Sequence, residues 1–287
     1  MDFLWSSFTD WIKEALIGGI MGNFQSLFDE INVKIGEIAT QVGQTPGDYN
    51  PGVFSMIRTL SNTVIVPIAG MILTAVLCYE LIHMVIERNN MHEFEYFTFF
   101  KWIFKSCIAV YFLSHSFDII MGIFGLAQHV VNGSAGIISG SVNMDVALSG
   151  LEDTLNAMEW YELLGLYMES GILGFAMKAM SICIFIIVQG RMLEIYLSVS
   201  VAPIPLSTLV NRECGQMGQN YLKTIFAVAF QGFLIMVCVA IYAALLSAIP
   251  TSTDIHGSIW ACVGISTLLC FILFKLSSMS KSLLGGH

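Results

Sequence analysis

The chain has 287 residues, of which 56% are hydrophobic and only 11% charged, and its mean hydropathy is +0.75. Soluble domains carry about 25% charged residues, so an ordinary soluble fold is excluded. The formal charge of −9 leaves no broad basic face for nucleic acid.

Residues 1–60 lack the basic n-region and A-x-A-like site of a secretory leader, so no cleaved segment is expected. Leu4, Phe8, Trp11, Ile12, Ala15, Leu16 and Ile20 recur at helical spacing, but Asp10, Lys13 and Glu14 interrupt them, which predicts an interfacial helix and not a span. A second amphipathic stripe follows. Phe24, Leu27, Phe28, Ile31, Ile35 and Ile38 share one face, with Asp29, Glu30, Lys34 and Glu37 opposite. The stripes suit anchoring at the membrane surface or packing on a bundle; they equally suit an external surface for assembly. Thr45 to Gly52, TPGDYNPG, breaks the helix with two prolines and two glycines.

Five later runs are long enough to cross a hydrocarbon core, which takes about 20 apolar residues. They cover approximately 62–86, 102–128, 171–194, 222–248 and 258–275. Backbone groups cannot stay unpaired in lipid, so each run is expected to be a helix. The expectation is an all-α polytopic bundle at 61–287, preceded by N-terminal amphipathic helices at 1–60 on the external or interfacial side.

Basic residues orient such a bundle. Arg88, Lys101 and Lys105 surround the first connection, Arg212 and Lys223 flank the third, and Lys275 and Lys281 follow the last span. The 129–170 segment has no Lys or Arg but carries Asp145, Glu152, Asp153, Glu159, Glu162 and Glu169; in 249–257 the charged residue is Asp254. Basic segments are expected in the cytoplasm and the others outside. The N-terminus of this cell-membrane protein is then external and its C-terminus cytoplasmic.

The third span is the least regular. Its apolar character runs from Gly171 to Leu209, about twice the length of one crossing. Arg191 and Glu194 lie within it, three positions apart, where one helical face can pair them. Pro203 and Pro205 remove backbone donors, so the helix is expected to kink or stop near Ala202. Two readings stay open for 195–209: a broken or re-entrant segment covered by protein, or a long tilted helix.

Ionisable groups inside apolar runs are functional candidates. Here they are His115 and Asp118 in the second span, Lys178, Arg191 and Glu194 in the third, and Glu80 and His83 in the first. His115 and Asp118, one turn apart, suit an ion relay. They equally suit a structural cluster in which Lys178 neutralises Asp118 and Gln231 adds hydrogen bonds. Glu80 and His83 form one ExxH where a di-iron bundle needs two. His92, Glu93 and Glu95 read as solvated loop charges.

No HExxH, GxSxG, GxxxxGK[ST] or GxGxxG motif is present, so no enzyme activity, cofactor or metal is expected. The seven cysteines contain no CxxC and read as small buried hydrophobes. Gly19 with Gly22 and Gly171 with Gly174 permit close helix packing.

The stretch GRMLEIYLSVSVAPIPLSTLVNRECGQMGQNYLKTIFAVAFQGFLIMV, residues 190–237, joins an Arg, a helix, an AP with a small apolar run, a polar turn, and a returning helix with a central Gln. It resembles the core of the TrbL-like polytopic subunits of conjugative type IV secretion systems, especially their Gram-positive branch. The resemblance implies an inner-membrane subunit of a DNA-transfer channel, a homo-oligomeric ring in the lipid bilayer, working with other secretion subunits including an ATPase. Translocated DNA is the cargo, and contact between DNA and this chain is not implied. Arg191, Glu194, Pro203, Pro205 and Gln231 fall within the matching stretch. A small-ion or solute transporter using the intramembrane charges is the other reading; it calls for an inverted repeat between halves.

Overall fold

The computed structural model describes residues 2–87, 96–138, 144–211, 215–249 and 255–285. His92, Glu93, Glu95, Arg212, Cys214 and Asp254 lie outside them. The order is α1 (Asp2–Val42), α2 (Pro46–Tyr49), α3 (Pro51–Leu60), a π turn (Ser61–Ile65), α4 (Val66–Glu87), α5 (Tyr96–Ser114), α6 (Ser116–Ile138), α7 (Met144–Ala157), α8 (Trp160–Ser200), α9 (Pro203–Ser207), α10 (Gly215–Ser247) and α11 (Ile255–Leu283). No strand occurs among the described residues.

Four stretches are long and apolar enough to cross a membrane: Pro51–Ile86, Trp160–Ser207, Gly215–Ser247 and His256–Leu283. A bent pair, Phe99–Ser114 and Ser116–Ser134, makes a fifth if it counts as one span. The protein is an all-α polytopic membrane bundle. The second run is not straight: its halves meet at His115 with a bend of 69°.

Local chemistry explains the helix boundaries. The two amphipathic stretches join in α1, and TPGDYNPG starts two helices in succession. The Thr45 side chain accepts from the Asp48 N–H with Pro46 in the first turn, and Asn50 accepts from Val53 N–H with Pro51 next to it. The π turn at Ser61–Ile65 lies just before Pro67, whose ring would crowd the carbonyl of Thr63, and one wider turn makes room for it. At His115 the backbone bonds persist, His115 N–H to Tyr111 O and Ile119 N–H to His115 O. Ser114 Oγ donates to Val110 O at 2.9 Å, back-bonding that bends helices.

The chain divides into two compact units. One comprises Met1–Val42, Gly133–Val188 and Ile235–Lys275. In it Ile20, Phe24, Leu27, Phe28, Ile31 and Ile38 of α1 are buried, as are Leu163, Leu166 and Leu173 of α8. Asn23 donates to Ser170, and the Tyr242 and Ser266 hydroxyls are bonded at 2.9 Å.

The other unit comprises Gly43–Asn132, Gln189–Leu234 and Leu276–His287. Its core joins Phe117, Ile120 and Phe124 of α6, Met192, Ile195 and Val199 of α8, Leu206 of α9, and Ile225, Val228 and Ala229 of α10. A second cluster places Ala69 and Leu73 of α4 against Ala109 and Leu113 of α5, with Ile204 and Val210 packed on it. Cys262 and Cys270 are buried, but Cys78 and Cys107 are exposed, against the expectation of buried thiols. A thiol is apolar enough to stay on an outward membrane face.

Candidate functional site

The second unit is built around the broken end of α8. Pro203 and Pro205 supply no N–H, so the chain tightens to three-residue bonds: Ala202 N–H to Val199 O, Ile204 N–H to Val201 O, Thr208 N–H to Pro205 O. Side-chain hydroxyls add bonds to carbonyls around the turn. Ser200, Ser207 and Thr208 hydroxyls donate to Leu197, Ile204 and Pro205 carbonyls. Tyr221 of α10 donates to Ser198 O at 2.8 Å, and Tyr196 donates to Pro46 O at 2.5 Å. These bonds meet the accounting that any buried helix end requires.

The turn is covered by protein: Ala202, Pro203, Leu206, Ser207, Thr208 and Asn211 are buried. Close approach of α10 depends on Gly218, where a Cβ would lie 2.6 Å from the Pro205 carbonyl oxygen and from Leu209 Cγ.

Arg191 and Gln231 are buried as well, 7% and 3% exposed. Among the described residues, Arg191 Nε and Gln231 Oε1 have no hydrogen-bond partner. The guanidinium occupies space left by a missing side chain, since a Cβ on Gly232 would lie 2.6 Å from Arg191 Nη2. The Arg191–Glu194 ion pair expected from their spacing is not formed. Glu194 instead accepts from Lys281 of α11 at 2.8 Å and from Ser277 at 3.4 Å. One turn along α11, Ser280 donates to Ala227 O of α10.

His115 and Asp118 lie at the bend between α5 and α6. The His115 ring stacks on Tyr111 with centroids 4.4 Å apart. The cation on Asp118 is Arg58, at 2.9 Å, and not Lys178. Arg58 also lies over the Phe117 ring, which meets Phe54 edge-on. Both members of this pair are about half exposed, at 49% and 58%. Lys178 belongs to the other unit, exposed on α8. Glu80, of the ExxH in α4, pairs with Lys105 of α5.

Arg191, Glu194, Gln231, Pro203 and Pro205 thus share one unit with His115 and Asp118, whereas Lys178 does not. Sequence reasoning missed Arg58, Lys281, Gly218, Gly232 and the two tyrosines. Arg58 carries a faint signal as the one basic residue between Lys34 and Arg88. The arrangement holds a buried cation and a buried amide beside a capped helix break. Among the described residues no group of three or more His, Cys, Asp or Glu side chains is disposed to hold a metal.

A search of curated proteins finds no match to this chain. A family model described as "TrbL/VirB6 plasmid conjugal transfer like protein" matches residues 31–203. That range runs from the second stripe of α1 to the proline that begins α9, and it contains Arg191 and Glu194. Pro205 and Gln231 lie beyond it. A match over more than half of a polytopic helical chain fixes its kinship: the chain belongs to the TrbL/VirB6 family of plasmid conjugal transfer proteins.

Proposed function

We propose that this chain is a channel or scaffold subunit of a conjugative type IV secretion system, contributing to the membrane passage through which DNA and protein are transferred. The observation that carries the reading is membership of the conjugal transfer family over residues 31–203. A sequence without nucleotide-binding or hydrolytic motifs supplies a path, a scaffold or a gate, and the energy then comes from a partner ATPase. Copies of the chain assemble around a common axis within the cell membrane, alongside other secretion subunits. The N-terminus lies outside and the C-terminus in the cytoplasm, as the Lys275 and Lys281 end of α11 and the acidic, Lys/Arg-free 129–170 segment favour.

Deletion of the gene followed by mating assays tests the role, and native mass analysis of the protein in mild detergent and in lipid discs tests the assembly. Loss of transfer together with a mass of several copies is expected. Wild-type transfer in the deletion strain overturns the role, and a strictly monomeric protein in both media overturns the assembly.

A further inference from the structure

The first unit contains a helix whose outward face is unlike those beside it. Three sets of contacts fix the register. Gly19 of α1 lies against Tyr167 of α8, and Asn23 donates to Ser170 at 2.9 Å. Further along, Ile31, Ile35 and Ile38 share the walls of one crevice with Met177, Met180 and Ile184 of α8 and Leu269 of α11. The same stretch of α8 is in register with α11, because Glu169 meets His256 and Met180 meets Thr267 and Cys270. Residues 23–38 of α1 therefore run beside 170–184 of α8 and 256–270 of α11.

That stretch of α11 is the one that crosses the bilayer. Residues 257–274 contain no charged side chain, and Lys275 and Lys281 follow. At a rise of about 1.5 Å per residue, the second half of α1 covers most of the same depth.

The outward faces at this depth differ. On α8 Ile172, Phe175, Ile182 and Phe185 are exposed with one charged side chain among them, Lys178, and on α11 Leu268, Phe271 and Phe274. These faces are mainly apolar and suit lipid, the one lysine reaching out on its aliphatic stem. On α1 the exposed residues are Gln25, Ser26, Asp29, Val33, Gly36, Glu37 and Thr40. Glu30 and Lys34 are half-exposed, and Lys34 is bonded to Glu37 at 2.6 Å. Charged groups held against hydrocarbon cost several kcal/mol each, so such a face demands water or polar protein.

We propose that the outward face of α1 between Gln25 and Thr40 is a wall of an aqueous passage through the membrane. Copies of the chain turn that face toward a shared axis, while α8 and α11 meet lipid; in this respect the inference rests on the channel reading above. The wall carries Asp29 and Glu37, with Glu30 and Lys34 at its edge, where they also border the crevice against α8 and α11. It attracts hydrated cations, which screen a phosphate backbone passing along it.

The test uses the full chain in lipid discs on a cysteine-free background, with Ser26→Cys, Val33→Cys and Thr40→Cys spin-labelled one at a time. Ile182→Cys and Phe271→Cys serve as references. Collisional access to a water-soluble nickel chelate, relative to oxygen, is expected to be several-fold higher at 26, 33 and 40 than at 182 and 271. A spontaneous disulfide in the Asn23→Cys, Ser170→Cys double variant is expected from the register. Oxygen-dominated access at 33 and 40 means that the face meets lipid, low access to both reagents means that protein covers it, and absence of the disulfide removes the register; each overturns the inference. In cells, a bulky thiol reagent at residue 26 or 40 is expected to lower mating transfer. A wetted face with undiminished transfer sinks the channel reading, whereas a dry face in a protein whose deletion abolishes transfer sinks this inference alone.

Discussion

Two interruptions of apolar helix in the second unit, at Pro203 and at His115, are built from different materials. At Pro203 the break is covalent in origin, buried, and capped by hydroxyls from Ser200, Ser207, Thr208 and Tyr221. At His115 no proline is present. The bend rests on a serine bonded to its own helix, a ring stack, and a half-exposed ion pair between Arg58 and Asp118. The first is held by several bonds to carbonyls, each costing about 1–3 kcal/mol if a buried partner is orphaned, whereas the second rests on a few side-chain contacts. The first interruption is therefore fixed by the chain itself, and the second is set by side chains that single substitutions remove.

The largest expected effect is at the fixed break. Gly218→Val places atoms where the Pro205 carbonyl and Leu209 already stand. Overpacking of this kind costs about 1–3 kcal/mol or more, and backbone here cannot move aside. A clear drop in the thermal unfolding midpoint of the purified protein is expected; an unchanged midpoint breaks the claim that α10 is held at van der Waals contact.

Tyr221→Phe comes next, because it strips the donor from Ser198 O while keeping the ring. A buried carbonyl left unsatisfied costs about 1–3 kcal/mol. A smaller midpoint shift than for Gly218→Val is expected, with the fold retained. Equality with wild type shows that another donor takes over, and the break is then less tightly specified than its bonds suggest.

At the bend the expected effects are smaller. Ser114→Ala ends the back-bond to Val110 O and changes stability by less than about 0.5 kcal/mol. It is expected to open the 69° angle, read as a longer distance between spin labels at positions 104 and 126. An unchanged distance assigns the bend to the packing of Phe117, Ile120 and Phe124 instead.

The break at Pro203 is legible in the sequence because a proline acts on its own helix through its ring and its missing N–H, both local properties. The buried stripe of α1 is legible for a similar reason: Phe24, Leu27, Phe28, Ile31, Ile35 and Ile38 share a face by spacing, and all are buried but Ile35, which is half-buried. What escapes is partnership. Arg58 and Asp118 are 60 positions apart and Lys281 and Glu194 are 87 apart; periodicity states which way a side chain faces and not what it meets. The mistaken Arg191–Glu194 pair shows the same limit. Helical spacing allowed the contact, but Glu194 found a cation on another helix while Arg191 settled over Gly232. The bend at His115 was hidden for another reason, since serine and histidine are common inside helices and only back-bonding turns them into a corner.

The last turn of α11 bears mechanical meaning. Lys281 holds Glu194 of α8 and Ser280 holds the Ala227 carbonyl of α10, so two consecutive residues tie this end of the chain to two different helices. Any machine that grips the C-terminal end pulls on both helices at once, on α8 less than two turns before Ser200 where its regular bonding stops. Tension applied there reaches the proline break without first unravelling the tail.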